Sequence, residues 1–340
     1  MSEQVLTNAR LVLDEEIVDG TMVMNEGMIT RLEQGRSQLS AAIDCEGDYL
    51  MPGLIELHTD NMEKYFQPRP KVAWPERQAA LAHDAQMASS GITTVFDALS
   101  VGDIDDDGMR EGALAAMAHA LAEINTRGLA RVEHRLHLRC EVCHPDTLAR
   151  FLSLSETPGL GLVSLMDHSP GQRQFADIEL YRTYYQGKYR LNDEAMEIFM
   201  ARAIDNSQRY SNESRRHIAE ICRERNLALA SHDDATVEHV SESREYGICI
   251  AEFPTTFEAA HASHRAGMAV LMGAPNVVRG GSHSGNVAAM TLVREGLLDV
   301  LSSDYYPAAL LDGLFRMANA EGGYAPVSYT HLTLPTIYSV

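Results

Sequence analysis

A histidine and an aspartate two residues apart, His58 and Asp60, follow a short apolar run at residues 54–57. The run begins after Pro52 and Gly53, a pair that interrupts regular secondary structure. If the run is a β-strand, its period of two places both side chains on one face, where they could bind one metal ion. A polar strand end that only meets solvent would show the same two residues, so the pair alone leaves both interpretations open.

The composition limits the classes of partner. With 340 residues, 45% of them hydrophobic, the chain can bury one barrel-sized core and a small additional piece. Its net charge of -20 argues against a nucleic-acid surface or an anionic membrane as a partner. No apolar segment reaches the roughly 20 residues that span a bilayer. The five cysteines and the lack of a signal-like start predict a reduced, cytoplasmic protein. The sequence leaves open whether the protein forms a homo-oligomer.

The order of elements predicts an α/β protein with two parts and a tail. Residues 1–50 form short strands with turns between them, which we expect to be a small, partial β-sandwich. From residue 51 to 325, helical stretches end in Gly or Asn and lead directly into apolar strands, the pattern of repeated αβ units on a parallel sheet. Residues 326–340 fit neither pattern and resemble a non-native tail that leaves the β-sandwich incomplete.

Eight strands can be counted in the αβ part, which favours a (β/α)8 barrel over a doubly wound sheet. We predict these strands at residues 54–60, 92–97, 134–141, 160–167, 227–232, 248–254, 268–273 and 297–304.

Polar residues stand at the carboxyl end of most of these strands, where a barrel keeps its active site. They are His58, Asp60, Asp97, Glu141, Asp167, His168, His232, Asp233, Asp234, Glu252, Asn276 and Asp304. Each of these residues alone is typical of a strand that ends in a solvent-exposed loop. Together, imidazoles and carboxylates around one barrel mouth suit a divalent ion such as zinc, manganese or iron, which makes water a stronger acid. The last aspartate, Asp304, would take or orient the proton of that water.

Several strings resemble the amidohydrolase superfamily of metal-dependent barrels. In that superfamily the first strand more often carries H-x-H, so the H-x-D of this chain narrows the resemblance to one branch, whose members hydrolyse the triphosphate of a phosphorylated ribose in bacterial phosphonate breakdown. The strings that carry the resemblance are HTDNMEKYFQPRPK at 58–71, SLMDHSPGQRQF at 164–175, YYQGKY at 184–189, ASHDDAT at 230–236, EFPTTFEAA at 252–260 and MGAPNVVRGGSHSGN at 272–286.

The resemblance implies one or two divalent ions, zinc first and manganese or iron as alternatives, and a small-molecule phosphorylated ribose as substrate. The implied metal ligands are His58, Asp60, Glu141, His168, His232 and Asp304, with Asp304 and Glu141 catalytic. A triphosphate on an acidic protein also needs clustered cations. We expect Arg69, Lys71, Arg139, Arg173, Lys188, Arg279, Ser282 and His283 to bind it, with the amides of Gly280 and Gly281 close to phosphate oxygens.

Two other functions remain open on the sequence. A superfamily member that cleaves a C–N bond, as a cyclic amidase or a deaminase, would use the same metal but a pocket with fewer arginines. A catalytically silent barrel would have broken metal positions, and none of the six is broken here.

Overall fold

The structure is a computed structural model and describes residues 3–13, 16–69, 72–102, 109–175, 177–282 and 285–320. The predicted tail at 326–340 lies outside this part of the chain. The described residues form two compact units, one within 3–54 and 314–320 and the other within 55–313.

The first unit contains a five-stranded sheet in the order β3-β2-β1-β4, with β5 also paired to β1. Residues of β1 alternate between buried and more exposed positions, as a strand with one covered face should. Ala9, Leu11 and Met22 form its apolar core, whereas β3 is exposed along its whole length. The strands are β1 Gln4–Val12, β2 Ile17–Asn25, β3 Met28–Gln34, β4 Ile43–Asp44 and β5 Tyr49–Leu50.

The second unit is built on an eight-stranded sheet in the order β13-β12-β11-β10-β9-β8-β7-β6, which confirms the predicted barrel. All eight strands overlap their predicted positions. They are β6 Leu54–Thr59, β7 Ile92–Val101, β8 Glu133–Glu141, β9 Leu160–Met166, β10 Ala228–His232, β11 Ile250–Glu252, β12 Ala269–Gly273 and β13 Val300–Ser302.

Helices connect these strands. After β6 come α1 Asn61–Phe66 and α2 Glu76–Ser89, then α3 Met109–Thr126, α4 Thr147–Leu154, α5 Ile178–Tyr189, α6 Asp193–Glu224, α7 Val237–Glu245, α8 Phe257–Arg265, α9 Ala274–Arg279, α10 Ala289–Arg294 and α11 Ala309–Asn319. No helix within the described residues is both long enough and apolar enough to cross a membrane.

The predicted link between helix end and strand start is present. Gly91 follows α2 with φ of 79°, and β7 starts at the next residue. Asn226 ends α6 in the same left-handed conformation, with φ of 54°. Glycine adopts this conformation without steric cost and asparagine tolerates it, so these positions stop the helix and turn the chain into the sheet.

Apolar side chains cover both faces of the barrel wall. Inside, Leu57, Leu162 and Leu271 belong to one buried cluster. Outside, Leu99 and Leu138 belong to a larger cluster that the helices cover. Strands buried on both faces read as continuous apolar runs, which explains why the barrel strands could be located from the sequence.

A buried carboxylate helps to close the barrel between its first and last strands. Among the described residues, β6 and β13 share no regular ladder, and a single parallel bridge joins Thr59 to Asp304. Glu56, which is fully buried, accepts a hydrogen bond from the backbone N–H of His58 at 2.7 Å and another from that of Ser303 at 2.6 Å. Its two oxygens therefore take the place of two ladder acceptors.

This arrangement predicts that Glu56→Ala destabilises the barrel. The substitution leaves two buried N–H groups without an acceptor, each at a cost of about 1–3 kcal/mol, so the free energy of unfolding should fall by about 2–6 kcal/mol. Urea denaturation measures the change. Glu133→Ala is the control, because Glu133 is half exposed and pairs only with Arg135 at the surface. Equal losses in the two variants would contradict a role for Glu56 in barrel closure.

Candidate active site

A cavity of about 370 Å³ opens at the carboxyl ends of the barrel strands. Each of the eight barrel strands contributes a residue to its lining, either from its last positions or from the segment directly after it: His58, Ser100, Arg139, Met166, His232, Phe253, Met272 and Asp304. The predicted residues Asp60, Glu141 and His168 line it too. The structure thus brings all six expected metal ligands to one cavity.

Three imidazoles in this cavity each have a carboxylate behind the ring. Glu252 lies 3.0 Å from Nδ1 of His58 and 3.4 Å from Nδ1 of His232. Glu141 lies 2.5 Å from Nδ1 of His168 and also accepts that residue's backbone N–H at 2.9 Å. Both glutamates are buried. A carboxylate on one ring nitrogen fixes the tautomer and leaves the other nitrogen as a metal ligand.

The other ring nitrogens, all Nε2, face carboxylates across the cavity. His58 Nε2 is 3.7 Å from Asp60, and Asp233 lies 3.6 Å from His168 Nε2 and 3.4 Å from His232 Nε2. These gaps are long for direct hydrogen bonds. Two ligand atoms about 2.1 Å from one tetrahedral ion would stand about 3.4 Å apart, so the donor spacing fits a bound metal.

Two sets of donors result, each with its ligand atoms within 4.8 Å of one another. One contains His58, Asp60 and Asp304, and the other His168, His232 and Asp233. Asp233 and Asp304 have left-handed backbones, with φ of 58° and 56°. This conformation is strained for a residue with a Cβ, and such strain is concentrated at functional sites.

Asp304 is held beside the first strand. Its N–H donates to the carbonyl of His58 at 3.0 Å, and its carbonyl accepts the N–H of Asp60 at 3.0 Å. Burial and the neighbouring Asp60 carboxylate raise the pKa of Asp304 to about 6. A carboxyl group in this range is suited to exchanging a proton near neutral pH.

Glu141 is expected to bind a metal ion, but in the structure its carboxylate contacts other side chains. Its oxygens face His168 and the Cys143 thiol, whose sulfur is 3.1 Å away. Burial opposes ionisation of Glu141, but His168 lowers its pKa to about 2. Burial also opposes the charged form of His168, but Glu141 and Asp233 raise its pKa to about 10. The contacts favour a carboxylate that positions His168, and direct metal binding by Glu141 stays a prediction.

Glu252 and Asp233 have a larger part in the site than the sequence predicts. Both belong to the polar strand ends named above, but neither is among the six expected metal ligands. Glu252 is fully buried and lies next to two imidazoles at once. An acidic residue at the end of the apolar strand of residues 248–251 was the available signal, because buried carboxylates are rare without a partner.

The predicted phosphate-binding residues lie only partly in the cavity. Arg139, Lys188, Arg279 and Ser282 line it, whereas Arg69 is exposed and lies outside the lining. Arg139 donates to Asp60 at 2.6 Å. Lys71 and His283 lie outside the described residues.

Arg173 is placed differently from the prediction. Its side chain is only 3% exposed and forms ion pairs with Asp234 and, at 3.0 Å, with Glu242. Burial, followed by the nearby Arg215, lowers its pKa to about 10. A guanidinium that is buried and paired twice has no free edge for a phosphate. Arg173 therefore joins the loop after β9 to the loop after β10 and to α7.

The expected amide contribution of the glycine loop is also not seen. Gly280 donates its N–H to the carbonyl of Val277 at 3.2 Å, and Gly281 donates to that of Asn276 at 2.8 Å. Both amides complete the C-terminal end of α9, where the last carbonyls lack helical partners. They are therefore not available to phosphate oxygens.

Asp97 also lies elsewhere than predicted. Strand β7 continues to Val101, so Asp97 lies inside the strand rather than at its end. It accepts hydrogen bonds from His83 Nε2 at 2.5 Å and from His134 Nδ1 at 2.8 Å, and all three side chains are buried. Asn61 Nδ2 lies 3.0 Å from the other nitrogen of His83. This is a hydrogen-bonded network behind the barrel wall that ties α2 to the sheet.

The shared contact of Glu252 predicts a loss of metal affinity in Glu252→Gln. The amide cannot accept from both imidazoles, so the affinity for zinc should fall by about 10–100-fold, the usual effect of removing a partner of a metal-binding histidine. Competition with a chromophoric chelator measures it. Glu245→Gln is the control, because Glu245 is exposed at the end of α7. Unchanged affinity in Glu252→Gln would contradict the positioning role.

Known proteins resemble this chain at two levels. No family model matches it. The curated alpha-D-ribose 1-methylphosphonate 5-triphosphate diphosphatase of Escherichia coli strain K12 is 56% identical over 317 residues, which cover 93% of this chain and 84% of that protein.

Among solved structures, N-isopropylammelide isopropylaminohydrolase from Burkholderia multivorans matches with a TM-score of 0.57 at 14% identity, covering 98% of this chain and 84% of that one. A triazine hydrolase from Arthobacter aurescens matches with a TM-score of 0.57 at 13% identity, covering 94% and 76%. At these identities the structures show a shared fold. The 56% identity over most of both sequences shows that the chain belongs to the family of alpha-D-ribose 1-methylphosphonate 5-triphosphate diphosphatases.

Proposed function

We propose that this chain hydrolyses α-D-ribose 1-methylphosphonate 5-triphosphate to α-D-ribose 1-methylphosphonate 5-phosphate and diphosphate, a step of phosphonate breakdown. The observation that carries the proposal is the 56% identity to a protein named for this activity, of which the chain covers 84%. In the reaction, water adds to the phosphorus next to the ribose, the bond from that phosphorus to the bridging oxygen breaks, and diphosphate leaves.

The donor chemistry of the cavity supports a divalent metal cofactor. His58, Asp60 and Asp304 would hold one ion, and His168, His232 and Asp233 a second. Imidazole and carboxylate donors together suit zinc, with manganese or iron as alternatives. A bound ion would supply positive charge that polarises the phosphoryl oxygens and makes water more acidic.

The protein side chains have separate tasks around that centre. Glu252 and Glu141 orient the imidazoles from behind. Asp304 accepts a proton from the attacking water at its carboxylate, for which its buried position beside Asp60 suits it. Arg139 and Arg279 place positive charge on the cavity wall, where the triphosphate gathers negative charge.

The products decide between this reaction and the alternatives. The zinc- or manganese-loaded protein should release diphosphate from the ribose 5-triphosphate substrate, with little orthophosphate, and ion chromatography separates the two. Release of orthophosphate alone would contradict cleavage at the phosphorus next to the ribose. Turnover of a cyclic amide or an aminated base with no phosphorus product would favour C–N hydrolysis instead.

The same assay tests Asp304. Asp304→Asn removes the proton acceptor and should lower kcat by about 100- to 10,000-fold, the range of general acid–base contributions. Glu295→Gln, which makes the matching change at an exposed position after α10, should leave kcat unchanged. Full activity of Asp304→Asn with unchanged metal content would rule out the role assigned to this residue.

A further inference from the structure

Two walls of different chemistry stand on opposite sides of the cavity. One follows β9 and is called here the aromatic wall: Phe175, Tyr184, Tyr185 and Lys188. The other surrounds the end of β13 and is called the cationic wall: Arg279 and Tyr305. Strands β9 and β13 are four places apart in an eight-stranded sheet, so their ends face each other across the barrel mouth.

The aromatic wall is held rigidly next to the metal-binding imidazoles. Phe175 is 3% exposed, and its ring centroid lies 6.1 Å from that of His168. Tyr184 and Tyr185 pack on Phe175 with centroids 5.6 and 5.4 Å away. Tyr184 nevertheless remains 51% exposed, although it lines the cavity. An exposed ring that is fixed by packed neighbours offers a face to the C–H groups of a sugar.

Lys188 stands one helical turn beyond Tyr184 on α5, so the two side chains share a face of the helix. Its Nζ lies 5.0 Å from the ring centroid of Tyr189 and 6.0 Å from that of Tyr185. These rings hold the ammonium group near the cavity edge through cation–π attraction. The aromatic wall therefore offers one ring face and one positive charge.

The cationic wall carries a guanidinium where the aromatic wall carries an ammonium group. Arg279 lies with Nη1 3.5 Å from the Tyr305 hydroxyl, and Lys64 Nζ contacts the Tyr305 carbonyl and lies 5.8 Å from its ring centroid. Two cations thus flank one tyrosine. Tyr305 directly follows Asp304 in the sequence, so this wall begins next to the Asp304 carboxylate. The arginine fork suits the paired oxygens of phosphate groups.

On the basis of the proposed function, we propose that the substrate lies across the barrel mouth with its diphosphate at the cationic wall and its sugar at the aromatic wall. Lys188 then binds the anionic phosphonate on C1 of the sugar and selects for it. The match follows from the donors, because the arginine fork can hold several oxygens of the highly charged diphosphate, whereas the phosphonate ester carries one negative charge. The apolar surface of the ligand supports the same orientation, because the sugar has C–H faces that can pack on the Tyr184 ring and the diphosphate has none.

Two substrates and two variants test this orientation. One substrate is α-D-ribose 1-methylphosphonate 5-triphosphate, and the other is ribose 5-triphosphate, which lacks the C1 group. Lys188→Met should lower kcat/KM for the first substrate about 10- to 100-fold more than for the second, as expected for loss of a charged hydrogen bond. Arg279→Met should lower both by the same factor. Arg182→Met is the control, because it removes a charge from α5 that pairs with Glu197 outside the cavity lining.

Binding of inorganic diphosphate gives a second readout that needs no turnover. By calorimetry on the zinc-loaded protein, Arg279→Met should weaken diphosphate binding at least tenfold, and Lys188→Met less than threefold. The reverse pattern, or equal losses in both variants, would overturn the orientation. If the wild-type protein releases no diphosphate from either substrate, the proposed reaction fails, and the binding data still decide which wall takes the diphosphate.

Discussion

Closure of the barrel at the junction of its first and last strands is the constraint on which the site depends. A sheet of eight strands becomes a barrel only if its two edges meet, and here they meet through one bridge and through the carboxylate of Glu56. Burial raises the pKa of this carboxyl to about 7. A polar group in such a position is tolerated because each of its oxygens accepts a backbone N–H. The same contacts bring Ser303 and Asp304 alongside His58.

The proposed metal ligands and the carboxylates that support them form two layers around this junction. Imidazoles and aspartates face the cavity, and the buried glutamates Glu141 and Glu252 stand behind the rings. An imidazole alone can rotate and can exchange its tautomers. A carboxylate on Nδ1 removes both freedoms, so Nε2 points into the cavity before any ion binds. The ring of His232 stacks on that of His58 with centroids 5.7 Å apart, which further limits rotation.

Much of the fold was predictable because its signals are local. Apolar runs placed the eight strands, and the Gly or Asn at each helix end marked the start of the next strand. The common position of His58, Asp60, His168, His232 and Asp304 in one cavity was predictable because barrel strands end at a common face. Side-chain direction was less predictable. The sequence predicts the end of β7 four residues too early and therefore places Asp97 at the barrel mouth. In the structure Asp97 contacts His83 and His134 behind the barrel wall.

Contacts between distant segments account for the other differences. The partners of Arg173, Asp234 and Glu242, come from segments more than 60 residues further along the chain, and no spacing rule predicts such a pairing. Gly280 and Gly281 have the composition of an anion-binding loop, but the helix end before them uses their amides. Glu56 is one acidic residue in an apolar strand, and its role depends on where β13 ends.

Anomalous diffraction at the zinc edge from crystals of the metal-loaded protein tests the two-layer arrangement most directly. We expect anomalous density within about 2.0–2.2 Å of Nε2 of His58, His168 and His232, with Glu252 and Glu141 still next to Nδ1. Zinc bound through Nδ1, or bound directly by Glu252 in place of the imidazoles, would contradict it.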